Sequence, residues 1–511
     1  MGVLDDLPRG VSSREIDQHQ MPSSAFADPA QVVKAAAYRF DGGKILLGVL
    51  DGKVHDSGKE HYVTGGSAVG IGDDRHAVVC AGSRAGKGRS CIVPTLLEWG
   101  GSVLALDPKG ELADITARRR GEMGQRVCIV DPFGITAKRL EKLRAGFNPL
   151  TLLKTDSATL IEDAGLIADA FVPGEGRDPH WDDSARTLIE GLLLHIATWP
   201  GYEKRRNLAT LRDLLMRGVV HEYGGKRLEG MEGLHMELSA NGDILAGSRP
   251  DLAEAVDGAA NDFFDRPVNE RGSVLSTARR HTKFLDYPPI RASLSSHGFE
   301  LTDLKTAPKG LTIYLCLPAG RMATCARWFR LFVNLALEAM EREPSKPKIP
   351  VLAVLEEFHV LGTMRQLEVA AGLVAGFGMK LLVVLQDLTQ LKRHYKEGWE
   401  TFLGNAGILV FFGNSDLTTL EFISKRCGQT SLIVERKSEA TVKAMVESGN
   451  LGRSWSLEVR EVLTAEEASR FFGRDDRQQR ALVIRSGGRP MVVQRVKYDR
   501  HEMFAGKWDK R

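Results

Sequence analysis

Along most of the chain, short apolar runs bounded by Gly, Pro or Asp alternate with stretches of helical period. HAVVCAGSRAGKGRSCIVPTLL, residues 76–97, reads as a strand, a glycine-rich turn and a helix. SVLALDP (102–108) and RVCIVDP (126–132) are two further strands, each closing on Asp-Pro, with a helical stretch from Glu111 to Glu122 between them. LTIYLCLP (311–318), PVLAVLEEF (350–358), KLLVVLQD (380–387) and GILVFFG (407–413) continue the series, and RMATCARWFRLFVNLALEAMERE (321–343) is a helix among them. Apolar strands alternating with helices predict an α/β fold with a parallel-rich sheet covered on both faces.

Other stretches break this rhythm. Residues 1–35 are polar, contain prolines and read as a loosely ordered arm. Tyr38 to Gly72 alternates between glycine turns, Asp41-Gly42-Gly43 and Asp51-Gly52, which predicts hairpins. Residues 148–308 carry helical patterns only, among them SARTLIEGLLLHIATW (184–199) and GSVLSTARRHTKFL (272–285). The expected organisation is an arm (1–35), the first part of an α/β domain (36–147), an all-helical insertion (148–308) and the second part of the α/β domain (309–511). That second part ends in a hairpin around Ser486-Gly487-Gly488-Arg489-Pro490, and residues 434–456 read as a mobile loop.

Composition narrows the field. With 511 residues, 43% hydrophobic and 26% charged, the chain can bury two or three real cores, which excludes disorder, collagen and coiled coil. Lys+Arg 69 against Asp+Glu 66 gives a net charge of +3, so any case for nucleic acid must be local. The six scattered cysteines form no C-x-x-C pair, which argues against a zinc site or disulfide framework and fits free thiols in a reducing compartment. No apolar run reaches the roughly 18–20 residues of a membrane span, and the opening MGVLDDLPRG is not a signal peptide.

The candidate chemistry sits at strand ends. AGSRAGKG (81–88) lies between a strand and a helix, where a P-loop wraps phosphate with backbone N–H groups and a helix N-terminus. The nucleotide-binding candidates are Gly82, Ser83, Arg84, Ala85, Gly86, Lys87, Gly88 and Arg89, with Lys87 reaching the terminal phosphates. Gly88 stands where a P-loop usually has Ser or Thr, so the Mg²⁺-binding hydroxyl is missing; Ser90 or a water is left to replace it. Pro94 predicts a kink in the following helix. Glu356 and Glu357 close an apolar strand, Glu356 as the metal-side acid and Glu357 as the residue that orients the attacking water. Gln386 closes the next strand as a third catalytic candidate.

These motifs, with LALDPKGEL (104–112), VDPFG (130–134), FNPL (147–150), HWDDSAR (180–186), VLQDLTQLKRHY (384–395) and LGNAG (403–407), resemble the type IV secretion coupling-protein family, the TraG-type P-loop ATPases of conjugation. The resemblance runs from about Lys44 to the C-terminus. It implies a RecA-like domain with an all-helical insertion, ATP and Mg²⁺ as cofactors and a homo-hexameric ring. It also implies delivery of a relaxase–DNA complex or effector protein to a secretion channel, with single-stranded DNA as a further partner. The chain departs from the family pattern at Glu356, where Asp is usual, and at Ala375, where many relatives have Arg. It also lacks the two N-terminal membrane helices, which implies a bacterial cytoplasmic protein held at the inner membrane by a partner. Two other readings stay open: a weakly hydrolysing substrate-receptor scaffold, and a generic DNA translocase.

Overall fold

The alternating apolar strands assemble one eleven-stranded sheet. A computed structural model of the chain describes residues 23–172, 179–373, 375–437 and 453–511. The first part contains α1 (Pro29–Lys34), β1 (Ile45–Leu50), β2 (Lys53–Asp56), β3 (His61–Thr64), β4 (Ser67–Ile71), β5 (His76–Ala81), α2 (Val93–Glu98), β6 (Val103–Asp107), α3 (Glu111–Glu122) and β7 (Arg126–Val130). The middle contains α4 (Leu160–Phe171), α5 (Pro179–Thr198), α6 (Leu208–Arg217), β8 (Val219–Tyr223), β9 (Lys226–Glu229), α7 (Gly230–Ala246), α8 (Pro250–Phe264), α9 (Val268–His281), α10 (Pro288–Ser293) and α11 (Asp303–Thr306). The last part contains β10 (Leu311–Cys316), α12 (Met322–Arg342), β11 (Val351–Leu355), α13 (Arg365–Leu373), β12 (Met379–Leu385), α14 (Leu388–Tyr395), α15 (Trp399–Gly404), β13 (Ala406–Phe412), α16 (Leu417–Cys427), β14 (Gln429–Lys437), β15 (Arg453–Glu461), α17 (Ala465–Phe471), β16 (Arg480–Arg485) and β17 (Met491–Gln494).

The sheet order is β4-β1-β17-β16-β13-β5-β12-β11-β6-β10-β7. The run from β13 to β7 is parallel throughout, and β16, β17, β1 and β4 extend it antiparallel. After β7 the chain leaves the sheet for about 180 residues and returns as β10 between β6 and β7. The carboxyl ends of β5, β12, β11 and β6 therefore lie side by side, where open α/β sheets bind ligands.

Successive strand residues serve opposite faces. Val78, Cys80, Leu104 and Leu106 join one buried cluster, and Ala77, Val79, Val103 and Ala105 join the other. The first cluster runs without a break into the insertion through Leu160, Ile189, Leu211 and Val256, with Trp328 of α12 between. Excising the insertion would thus uncover one face of the sheet. The six cysteines are buried and unpaired, and Trp181 packs half-buried against the first cluster.

Several expectations are corrected. The insertion is helical apart from the β8–β9 hairpin, whose Gly224-Gly225 turn has φ of +55° and +77°, the sign that a tight hairpin requires. Asp51-Gly52 connects β1 to β2 but does not pair them: β1 pairs with β4 and β17, while β2 pairs with β3. Within the 434–456 loop, residues 434–437 and 453–456 belong to the β14–β15 ribbon, and 438–452 lie outside the described residues. Of the arm, residues 1–22 lie outside them too, and α1 occupies Pro29–Lys34. No helix among the described residues is long and apolar enough to cross a membrane.

Candidate nucleotide site

β5 hands the chain to the P-loop at Gly82. A Cβ there would fall 1.9 Å from the carbonyl oxygen of Gly413, so only glycine lets the loop pass the end of β13. Arg84 holds a left-handed backbone (φ +57°), and Gly86 has φ +93°. Lys87 opens the helix. Gly88–Ile92 then forms a π turn in which Val93 N–H bonds back to Gly88 O, running into α2. Pro94 explains it: proline has no N–H to donate, and the wide turn keeps its ring off the preceding carbonyls. The expected kink is thus a π turn next to the phosphate loop.

One flank of the loop is acidic. β11 and β6 are in register with Leu355 opposite Leu106, so Glu356 and Asp107 follow one step on. Asp107 is fully buried; its Oδ2 accepts from Ala113 N–H at 2.9 Å, and its Oδ1 makes no hydrogen bond. Burial pushes the Asp107 carboxyl up to about 6 against the pull of the amides at 113, 112 and 109. Burial, with the charges of Asp107 and Glu357, pushes Glu356 up to about 8, while Lys109 and Lys87 oppose the rise. The unbonded Asp107 Oδ1 leaves an oxygen open to a cation beside Glu356. No group of three or more His, Cys, Asp or Glu that could hold a metal occurs among the described residues. A Mg²⁺ ion bound mainly by phosphate oxygens and water needs only one or two carboxylates, and Asp107 with Glu356 fits that set.

Glu357 has left-handed backbone angles (φ 53°, ψ 46°) and starts the single 3₁₀ turn Phe358–Leu361. Gln386 Nε2 donates to Glu357 Oε2 at 3.2 Å, and His359 Nδ1 lies 3.4 Å from the same oxygen. The three catalytic candidates are therefore brought together at adjoining strand ends. Of the five described non-glycine residues with positive φ, Glu357 stands on this acidic flank, and Arg84 and Gln479 line the cavity on the other side of the loop.

The other flank is a cavity of about 440 Å³ lined by Arg84, Ala85, Gly86, Arg89, Ser90, the β2–β3 connection, Arg474, Gln479, Arg495 and Lys497. The Arg89 guanidinium is held by two carboxylates: Glu60 at 2.5 and 3.0 Å, and Asp499 at 2.5 and 2.6 Å. Arg89 therefore lines the cavity with its charge already paired. Ser90, 6% exposed, lines the same cavity. Gly88 faces open space, so the position usually held by Ser or Thr has room for one. Lys497 and Arg500 also bond Glu60, and Arg89 foremost holds its carboxyl far below the ordinary range.

Sequence reasoning did not single out several residues. Asp107 carried the same signal as Glu356, an acid closing an apolar strand. Asn414, just after β13, donates to Cys80 Sγ (3.5 Å) and Gln386 O (3.4 Å), and ties two site strands together. Arg495, 2% exposed, donates to Ala85 O at 3.0 Å and stacks on Phe412 at 4.6 Å. No local pattern marks Arg495 or Glu60. Lys109 adds charge near Glu356, whereas Glu111 pairs with Arg511. Asp131, at the second Asp-Pro strand end, is taken up by Ile135, Thr136 and Arg144. The Arg118-Arg119-Arg120 cluster is no free basic patch: Arg118 pairs with Glu122 and Asp509, and Arg120 is fully buried against backbone carbonyls, Thr312 and Gln125. Ala375 sits in the turn before β12.

A family model described as Type IV secretory system Conjugative DNA transfer matches residues 19–510. A conjugal transfer protein TraG of Escherichia coli is 27% identical over 431 residues, 81% of this chain and 64% of the relative. Protein VirD4 of Rhizobium radiobacter is 26% identical over 445 residues, 85% of this chain and 58% of the relative. The chain thus spans less than two thirds of the length of these curated relatives. Among solved structures, the bacterial conjugative coupling protein TrwBdeltaN70 superposes with a TM-score of 0.63 at 15% identity, covering 96% of this chain and 95% of that one. The plasmid coupling protein TrwB in complex with ADP and Mg²⁺ gives 0.61 at 15% identity, covering 92% and 93%. This likeness shows the fold, RecA-like α/β with a helical insertion.

Proposed function

We propose a function from one premise: the chain belongs to the type IV secretory system conjugative DNA transfer family. It acts as a coupling ATPase, recruiting a DNA–protein or protein substrate and delivering it to a secretion channel at the cost of ATP. The observation that carries this reading is the convergence of Lys87, Glu356, Glu357 and Gln386 on adjoining strand ends, with Glu357 and Gln386 hydrogen-bonded.

In this reading the phosphates lie on the amides of Gly86, Lys87 and Gly88, with Lys87 between the β- and γ-phosphates. The nucleoside enters the cavity beside Arg89 and Ser90, because Arg84, Ala85 and Gly86 of the loop line that cavity and Asp107 and Glu356 do not. Asp107 and Glu356 would hold Mg²⁺, which would supply charge neutralisation at the phosphates. Glu357, oriented by Gln386, takes the proton of the attacking water. The TrwB complex with ADP and Mg²⁺ supports the choice of nucleotide and ion. By the family resemblance the active form is a homo-hexameric ring attached to the membrane through secretion-system partners, and Lys204, Arg205, Lys392 and Arg393 supply exposed charge for single-stranded DNA.

The test is specific ATPase activity against protein concentration, with and without single-stranded DNA, at low and moderate salt. The motor reading expects activity to rise with concentration, to rise further with DNA, and to lose the DNA effect as salt increases. Flat, low activity insensitive to all three favours the scaffold reading, for which Gly88 without a hydroxyl is the specific observation.

A further inference from the structure

Helix α12 lies between the helical insertion and the turn that carries Glu357, packing against α4 on one side and the Phe358–Leu361 turn on the other. Two of its arginines, one helical turn apart, reach these two neighbours. Arg330 is 7% exposed, and its Nη1 donates to Leu361 O at 2.8 Å and to Thr363 O at 2.7 Å. Those carbonyls close the short turn that Glu357 opens. Thr363 Oγ1 in turn donates to His394 O at 2.7 Å, which ties the turn to α14, the helix that follows Gln386. A glutamate held at φ +53° keeps that conformation only if its surroundings fix it, and Arg330 supplies two of the fixing bonds.

Arg327 reaches the other way. Its Nε donates to Phe171 O at the end of α4 at 2.7 Å, and its Nη2 donates to His281 Nδ1 of α9 at 2.8 Å. A guanidinium can only donate, so Nδ1 is the acceptor and the imidazole proton sits on Nε2. That proton is donated to Asp182 Oδ1 of α5 at 2.8 Å. The charge of Arg330 also reaches Asp169 on α4. One helix therefore bonds two elements of the insertion at one arginine, reaches a third through His281, and bonds the hydrolytic turn at the next arginine.

We infer that Arg330 is a positioning residue for hydrolysis, and that α12 makes the placement of Glu357 depend on how the helical insertion sits. The inference rests on the hydrolytic reading above. A substrate that shifts α4, α5 or α9 against α12 moves the carbonyls of Leu361 and Thr363 through a stiff helix, and Glu357 moves with them.

The experiment compares the full-length wild-type chain with Arg330→Met, Arg330→Lys, Arg327→Gln and the Arg327→Gln/Arg330→Met double variant. Affinity for a fluorescent ATP analogue with Mg²⁺, kcat, KM and thermal melting are measured for each. Arg330→Met is expected to leave nucleotide affinity within about twofold and to lower kcat on the order of tenfold to a hundredfold, the effect of misplacing a reacting group by about 1 Å. Arg330→Lys recovers part of that loss, because one ammonium donor still reaches a carbonyl. Arg327→Gln lowers kcat about two- to thirtyfold without touching the turn. The double variant falls no further than Arg330→Met, since both act through one turn. Undiminished kcat in Arg330→Met, or a joint loss of affinity and kcat that Arg330→Lys does not relieve, overturns the positioning role. Losses that multiply in the double variant overturn the coupling through α12. A wild-type chain that binds Mg-ATP without turning it over contradicts the hydrolytic reading itself, and this inference with it.

Discussion

The two flanks of the P-loop treat negative charge in opposite ways. On one, buried Asp107 and half-buried Glu356 lie side by side with few partners, and desolvation raises them to about 6 and about 8. On the other, Glu60 is enclosed by Arg89, Lys497 and Arg500, and those partners hold its carboxyl far down. A carboxylate whose counter-charges are built into the fold is committed to structure. A pair left short of positive charge beside Lys87 is prepared for a cation that arrives with a ligand. The comparison therefore separates the chemistry of the site from its scaffolding.

The sharpest break falls on the acidic flank. Glu357→Gln is expected to retain Mg-ATP binding and to lower kcat on the order of 10²–10⁴-fold, the range for loss of a general base. Pre-steady-state binding and steady-state phosphate release, measured on one preparation, check it. Lys87→Ala follows, with nucleotide affinity reduced on the order of a hundredfold while melting stays unchanged, because a charge-assisted contact to the ligand is lost and no core contact is. Equilibrium titration with a fluorescent nucleotide reads this directly.

Smaller effects sharpen the other flank. Glu60→Gln is expected to destabilise the chain by about 1–3 kcal/mol, the worth of charged hydrogen bonds to Arg89, Lys497 and Arg500. The folded-state pKa of Glu60 is lowered, so its stabilisation is complete above the unfolded value of 4.5 and fades as pH falls below it. The difference in melting midpoint between wild type and Glu60→Gln should thus be full at pH 7 and shrink toward pH 3. Gly88→Ser is the mildest change. A Cβ at Gly88 meets nothing within 4 Å, so the variant should fold normally and bind Mg-ATP a few-fold tighter, about the worth of one added hydrogen bond.

The sequence made the acidic flank legible because its parts are local. A strand that ends in Glu356-Glu357, another that ends in Gln386, and a glycine-rich turn before Lys87 each lie within one short apolar run, and the parallel sheet aligns such ends automatically. Asp107 was equally legible as an acid closing SVLALDP, the same local signal that marks Glu356. The other flank was not readable in that way. Glu60 meets Arg89 across 29 residues, Asp499 meets it across 410, and Arg495 reaches Ala85 across another 410. Such pairings depend on β1, β16 and β17 being added to the sheet edge, which no local pattern announces. The β8–β9 hairpin was missed for a different reason: a Gly-Gly turn between two short alternating runs was present, and the helical period of its neighbours overrode it.

The most direct test sets the two flanks against each other in one experiment: kcat for Mg-ATP and the melting midpoint, for wild type, Glu356→Gln and Glu60→Gln. Glu356→Gln removes a carboxyl whose ionisation burial and neighbouring acids disfavour, so the account predicts lost turnover with a midpoint equal to or above that of wild type. Neutralising Glu60 breaks a satisfied ion cluster, so it predicts a lowered midpoint with kcat per folded molecule unchanged at saturating Mg-ATP, any effect on the nucleoside cavity falling on KM. A Glu356→Gln chain that melts lower yet turns over normally, or a Glu60→Gln chain that keeps its midpoint and loses turnover, would contradict it.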